Sequence, residues 1–173
     1  MHKIIKFNFT TYDMRHDQDV VNSGSSHCNI MVLAQPDPRQ LPDEHPFLYG
    51  RVLGVFHVNV IYSGPGAVDH DARHFDCLWV RWYDLAVGKS HDGTRKNAKS
   101  RSKTAEKPSR RLDRLSFLPW DAEDAVGFID PADVLRGCHI IPAFSTMKSF
   151  PNGGGLSSCA RDSEDWNAYY ISR

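Results

Sequence analysis

A short polar stretch concentrates carboxylates and imidazoles, the side chains that bind divalent metals. Asp69 and Asp71 flank a histidine, His74 follows three residues later, and Asp76 lies close by. Such a set can hold a metal ion that activates water, as in a metal-dependent nuclease that uses Asp69, Asp71 and His74, and His57 can join it if a hairpin brings the two segments together. Because Asp and His are also ordinary loop residues, we expect no metal and no cofactor, and we keep the nuclease as the alternative.

A second group of residues suits contact with phosphate. The segment from Lys89 to Arg114 holds ten Lys/Arg and three Asp/Glu, a local net charge of +7, so the rest of the chain carries −7. Residues 89–109 contain almost no large apolar side chain, which predicts a flexible, solvated insertion. A phosphate-contacting arm, a nuclear-localisation signal, a solvated insertion without a specific role and an arm folded onto its own acidic domain all stay open. The candidate nucleic-acid-binding residues are Arg95, Lys96, Lys99, Arg101, Lys103, Arg110 and Arg111.

Aromatic side chains provide a third candidate site, a cage that would hold a methylated lysine by cation–π attraction. Strand alternation puts Trp82 on the face opposite to Trp79 and Tyr83, so these rings cannot all line one cage and core packing is the favoured interpretation. Arg81, between the two tryptophans, is expected to bond an acidic neighbour, Asp76 or Asp84. The full aromatic set is Trp79, Trp82, Tyr83 and Trp120.

The elements that must position these side chains have the composition of strands, with β-branched and aromatic residues between Gly/Pro/Asp-rich turns. Segment 51–62 is expected to pair antiparallel with 75–85, and Gly54 within it predicts a bulge or bend. Its alternation predicts Val52, Phe56, Val58, Val60 and Tyr62 on one face, with His57 and Asn59 on the other. The predicted strands are 4–11, 29–33, 51–62, 75–85, 112–118, 126–129, 138–141 and 166–171.

One segment has the capping residues of a helix. Asp130 can accept hydrogen bonds from first-turn amides, Pro131 suits the first helical position, and Gly137 suits the left-handed residue that ends a helix. The pattern therefore predicts a mainly β fold, a small barrel or curled antiparallel sheet with one short helix and long loops. We expect residues 1–173 to form a single β-rich domain.

Several runs follow one another in an order that resembles a known family. They are FTTYDMRHDQDVVN, NIMVLA, HPFLYGRVLGVFHVNVIYSGP, FDCLWVRWYDL, RRLDRLSFLPW, GFIDPADVLRGCHIIPAFS and EDWNAYYISR. Together they resemble the C-terminal domain of large uncharacterised proteins of mushroom-forming fungi, multicopy and linked to Kyakuja–Dileera–Zisupton (KDZ) transposons. The family has a shorter connection before the RRLxR strand and continues beyond the DWxxYY strand, so the resemblance implies an expanded basic insertion and a fragment-like chain.

A looser resemblance is to a domain of plant CACTA-type transposon proteins, through the YGRV run at Tyr49 and the DP-x-x-V run at Asp130. In shape, both families are similar to SH3-like or bromo-adjacent-homology (BAH) barrels, which is an analogy of fold alone. The resemblance implies a non-catalytic module of a mobile-element-linked protein, because the domain resembled lies outside the transposase catalytic region.

Composition argues against a membrane protein and indicates a reducing compartment. Lys/Arg and Asp/Glu number 21 each, mean hydropathy is −0.47, and no stretch approaches the ~18 apolar residues of a membrane span. Four cysteines without a Cys-x-x-Cys pair favour a reducing intracellular compartment, the nucleus or the cytoplasm. The sequence therefore predicts a non-catalytic module that binds DNA or chromatin. A protein-interaction domain that contacts other parts of a larger polypeptide stays open.

Overall fold

A computed structural model describes residues 2–11, 15–34, 45–85 and 112–172, which form ten strands and one 3-10 turn, Pro131–Asp133. No helix among these residues is long and apolar enough to cross a bilayer. The strands are β1 (Ile4–Thr10), β2 (His16–Asn22), β3 (Asn29–Leu33), β4 (Phe47–Val60), β5 (Arg73–Leu85), β6 (Arg114–Phe117), β7 (Val126–Ile129), β8 (Val134–Gly137), β9 (His139–Pro142) and β10 (Tyr169–Ser172).

The strands form two antiparallel sheets. β1 and β2 make a hairpin, and the larger sheet has the order β8-β3-β4-β5-β6-β10-β9, with β7 also paired to β5. This confirms the mainly β, antiparallel prediction. Neither sheet closes into a barrel over the described ranges, so the curled sheet is the alternative that fits.

β4 and β5 form the longest pair and separate two hydrophobic clusters. The first cluster contains Val52, Val55, Leu78 and Val80 and is covered by the β1–β2 hairpin through Phe7 and Val21. The second cluster lies on the opposite face of the pair, where aromatic rings dominate. Its buried members are Tyr49, Tyr83, Leu115, Ile140, Tyr169 and Ile171.

A one-residue bulge in β4 decides which side chains share a face. Val52 pairs with Val80 and Gly54 pairs with Trp79, so Leu53 is the extra residue. The bulge at Gly54 was predicted, but its effect on the faces was not. Because one residue is inserted, Val52 lies on the same face as His57, and the prediction that it shares a face with Phe56 is wrong.

The predicted short helix is reduced to one turn. Asp130 caps it as expected, accepting a hydrogen bond from the Ala132 amide at 2.8 Å, and Pro131 occupies the first position. Val134 then returns to extended backbone and starts β8, which pairs with β3. The prediction that Gly137 ends a helix in a left-handed conformation is therefore wrong, because Gly137 is the last residue of a strand and faces Ile30.

Gly50 provides a test of how closely β4 and β5 pack. A Cβ at this position would overlap Val80 Cγ1 and approach the Trp82 ring to 3.1 Å. We expect Gly50→Ala to lower the free energy of unfolding by about 1–3 kcal/mol, measured by urea denaturation. Gly154→Ala is the matched control, since nothing lies within 4 Å of its added methyl group, and it should change stability by less than about 0.5 kcal/mol. Equal midpoints for the two variants would contradict this packing.

Candidate functional site

Two charged side chains with little solvent exposure lie on the aromatic face of the β4–β5 pair. Arg51 and Arg81 face each other in the strand register, and their side chains are 14% and 6% exposed. Like charges that face each other across strands repel, and burial removes the water that would screen them. A compensating anion is therefore required at this point of the sheet.

Asp165 supplies that anion. Its Oδ1 accepts a hydrogen bond from Arg51 Nη1 and its Oδ2 accepts one from Arg81 Nη1, each at 2.5 Å, and its side chain is 2% exposed. The Tyr169 hydroxyl donates a further bond to Oδ1 at 3.1 Å. Burial, and after it the charge of Asp165, raises the pKa of Tyr169 to about 12, so the phenol keeps the proton that it donates. We call Arg51, Arg81 and Asp165 the buried ion cluster.

Aromatic rings enclose the buried ion cluster. The Arg81 guanidinium carbon lies 3.9 Å from the centre of the Phe117 ring and 4.1 Å from that of Trp120. Phe117 in turn stacks on Tyr83 at 4.0 Å between ring centres. The cation that these rings hold is therefore the chain's own Arg81, which leaves no cage for a methylated lysine at this point.

Of two predictions about β5, which carries the aromatic residues Trp79, Trp82 and Tyr83, one is confirmed and one is wrong. Trp82 packs against the first hydrophobic cluster while Tyr83 belongs to the second, which confirms that they lie on opposite faces. The prediction that Arg81 bonds to Asp76 or to Asp84 is wrong. Its partner is Asp165, 84 residues away in the sequence, which no local pattern identifies.

A shallow cleft of about 240 Å³ opens beside the buried ion cluster. The guanidinium Nη1 atoms of both arginines already point at Asp165, so the cluster acts first as a structural centre that joins the 143–168 segment to the sheet. Burial also raises the pKa of Cys28 on the cleft wall, which keeps its thiol protonated.

A second polar group lies at the other end of the β4–β5 pair, on the opposite face. His57 faces Asp76 and Asn59 faces His74 in the register. Asp76 Oδ1 contacts His57 Nδ1 and lies 3.1 Å from His74 Nε2, and the two imidazole rings stack at 5.4 Å. The hydrogen bond with His57 is the main cause that lowers the pKa of Asp76, so the carboxylate is ionised at neutral pH.

The structure assembles a different set of metal-binding side chains from the predicted nuclease set. Of the described residues, only His57, His74 and Asp76 place three ligand atoms within 4.8 Å of one another. Asp69 instead forms an ion pair with Arg73 at 3.8 Å and accepts a bond from the backbone amide of the nearby Asp71. Asp69, Asp71 and His74 are thus not brought together, whereas the expectation that a hairpin could bring His57 to this region is confirmed.

The predicted nucleic-acid-binding residues lie outside the described residues. The structure does show where their segment is attached, since Leu85 at the end of β5 faces Leu115 in β6. The basic segment therefore joins two strands that are hydrogen-bonded neighbours. The residues concerned are Arg95, Lys96, Lys99, Arg101, Lys103, Arg110 and Arg111.

Comparisons of the chain with protein-family models, with curated proteins and with solved structures find no match.

The buried ion cluster generates a stability prediction. Asp165→Asn keeps the shape of the side chain but leaves two buried guanidinium groups without the carboxylate that bridges them, so we expect it to lower the free energy of unfolding by about 3–5 kcal/mol in urea denaturation. The control is Glu164→Gln, which removes only the ion pair with Lys148 on the surface and should cost less than about 1 kcal/mol. If the two variants are equally stable, Asp165 does not hold the arginines together.

Proposed function

We propose that this chain is a non-catalytic binding module that contacts the phosphate backbone of duplex DNA through the basic segment 89–114. One observation carries the proposal: a net charge of +7 is concentrated in this segment, while the rest of the chain is acidic. Lys and Arg side chains that neutralise phosphates release condensed counterions, which drives binding without any reading of base sequence. The resemblance to a domain of transposon-linked fungal proteins supports a nuclear, DNA-associated setting and a barrel-related fold.

The attachment of the segment supports this function. Because β5 and β6 are paired, Leu85 and Leu115, which flank the basic segment in the sequence, lie opposite each other. A basic segment that is joined to the domain at both ends would raise the local concentration of its charges at a duplex bound by it. The acidic remainder of the chain would repel the same duplex, so contact is directed to the segment.

Salt dependence tests the proposal. If five phosphates are neutralised, the logarithm of the binding constant should fall with the logarithm of the salt concentration with a slope of about −4.5. Replacing five basic residues by Ala should abolish most of that slope and weaken binding uniformly across DNA sequences, measured by fluorescence anisotropy on duplex DNA. The five residues are Arg95, Lys96, Lys99, Arg101 and Lys103.

A charge-preserving control separates electrostatic contact from misfolding. In this variant each of the same five positions exchanges Lys for Arg or Arg for Lys, so the net charge of the segment is unchanged. It should bind with the affinity and salt slope of the unaltered protein. If the Ala replacements leave a weak DNA binding unchanged, the DNA role is refuted. The remaining alternative is then a protein-interaction domain, which a pull-down with the rest of a longer polypeptide would test.

A further inference from the structure

We propose that His57, His74 and Asp76 form a binding site for a divalent transition-metal ion, best suited to Zn²⁺, at the exposed end of the β4–β5 pair. We call these three residues the His–His–Asp site. It shares no residue with the basic segment 89–114, so its existence does not depend on DNA binding.

The distances between the three side chains suit a single ion. The ligand atoms all lie within 4.8 Å of one another, and His74 Nε2 is 3.1 Å from Asp76 Oδ1. Zinc bonds of about 2.0–2.1 Å in tetrahedral geometry separate neighbouring ligand atoms by about 3.3 Å. Small side-chain rotations therefore suffice to place one ion between the three atoms. Imidazole with carboxylate is also a ligand set that zinc accepts.

A neighbouring amide orients one of the imidazoles. His74 Nδ1 lies 3.0 Å from Asn59 Oδ1, and an amide oxygen can only accept a hydrogen bond. A hydrogen bond from Nδ1 to this oxygen leaves Nε2, on the side of Asp76 Oδ1, as the ring nitrogen that a metal ion would bind. A cation bound between Nε2 and Oδ1 would replace the hydrogen-bond contact that these two atoms make at 3.1 Å. Metal-bound histidines are typically oriented by such a hydrogen bond from the second ring nitrogen.

The backbone already holds the ligands in position. His57 and Asp76 face each other across the strands, and His74 is two residues from Asp76 on the same face. The edge of the His2 ring packs against His57 at 4.4 Å between ring centres, which restricts rotation of that imidazole. The three ligand side chains are 39%, 60% and 50% exposed, so an ion can enter from solvent and keep water in its remaining coordination position.

Zinc titration of tag-free protein tests the site. Isothermal titration calorimetry should show one equivalent of Zn²⁺, and two-dimensional NMR should show the largest shifts at the ring nitrogens of His57 and His74. His74→Ala and Asp76→Asn should each weaken binding by more than the loss caused by Asn59→Ala. Asn59→Ala should weaken zinc binding about 10–100-fold, because that variant removes only the hydrogen bond that orients His74. Excess Mg²⁺ should not displace the zinc, since Mg²⁺ requires octahedral oxygen ligands.

Three controls make the result decisive. His70→Ala and Asp71→Asn alter exposed residues of the same region outside the His–His–Asp site and should leave zinc affinity unchanged. His2→Ala should retain one-equivalent binding, which excludes capture of zinc by the chain terminus. The proposal is overturned if no saturable binding occurs, or if a control variant weakens binding as much as His74→Ala does. All the altered side chains are exposed, and far-UV circular dichroism confirms that each variant is folded.

Discussion

Along the β4–β5 pair, Arg51 faces Arg81 on one side of the sheet, and beyond the bulge at Leu53 His57 faces Asp76 on the other side. Every feature with a functional interpretation depends on this register. Since side chains alternate between faces, a slip of one residue in β5 would turn Arg81 away from Arg51 into the first hydrophobic cluster and separate Asp76 and His74 from His57. The same strand, β5, ends at Leu85, before the basic segment, and the register there places Leu85 opposite Leu115 of β6.

The two faces stabilise the register in different ways. On one face, apolar side chains such as Val80 and Leu78 are fully buried against the β1–β2 hairpin. Hydrophobic burial stabilises this face, but apolar side chains can pack in many alternative arrangements, so it specifies the register weakly. On the other face, Asp165 must meet two guanidinium groups at once, and a slipped register would leave these charges buried without a partner. We infer that the buried ion cluster contributes specificity of pairing more than stability, because desolvation offsets much of the attraction between buried charges.

Local patterns predicted what depends on neighbouring residues. The β4–β5 pairing and the Asp130 cap follow from alternation and capping chemistry, and both were predicted. β2 was missed because its residues are mostly polar and become a strand only by pairing with β1. Gly137 was misassigned because pairing with β3 overrides the helical capping signal. Asp165 could not be assigned from sequence, and the sequence placed His57, His74 and Asp76 only within a larger set with Asp69 and Asp71. Contacts between distant segments and a bulge of one residue decide which of these side chains meet.

The claim that this register positions both polar sites can be tested most directly by NMR, through nuclear Overhauser effects between backbone protons of β4 and β5. We predict contacts that place Asn59 opposite His74 and Phe56 opposite Cys77, with a break in the pattern at Leu53. A pattern in which His74 faces Val58, continuous through residue 53, would contradict the bulge and with it the position of the His–His–Asp site. A pattern in which Arg51 does not face Arg81 would contradict the position of the buried ion cluster.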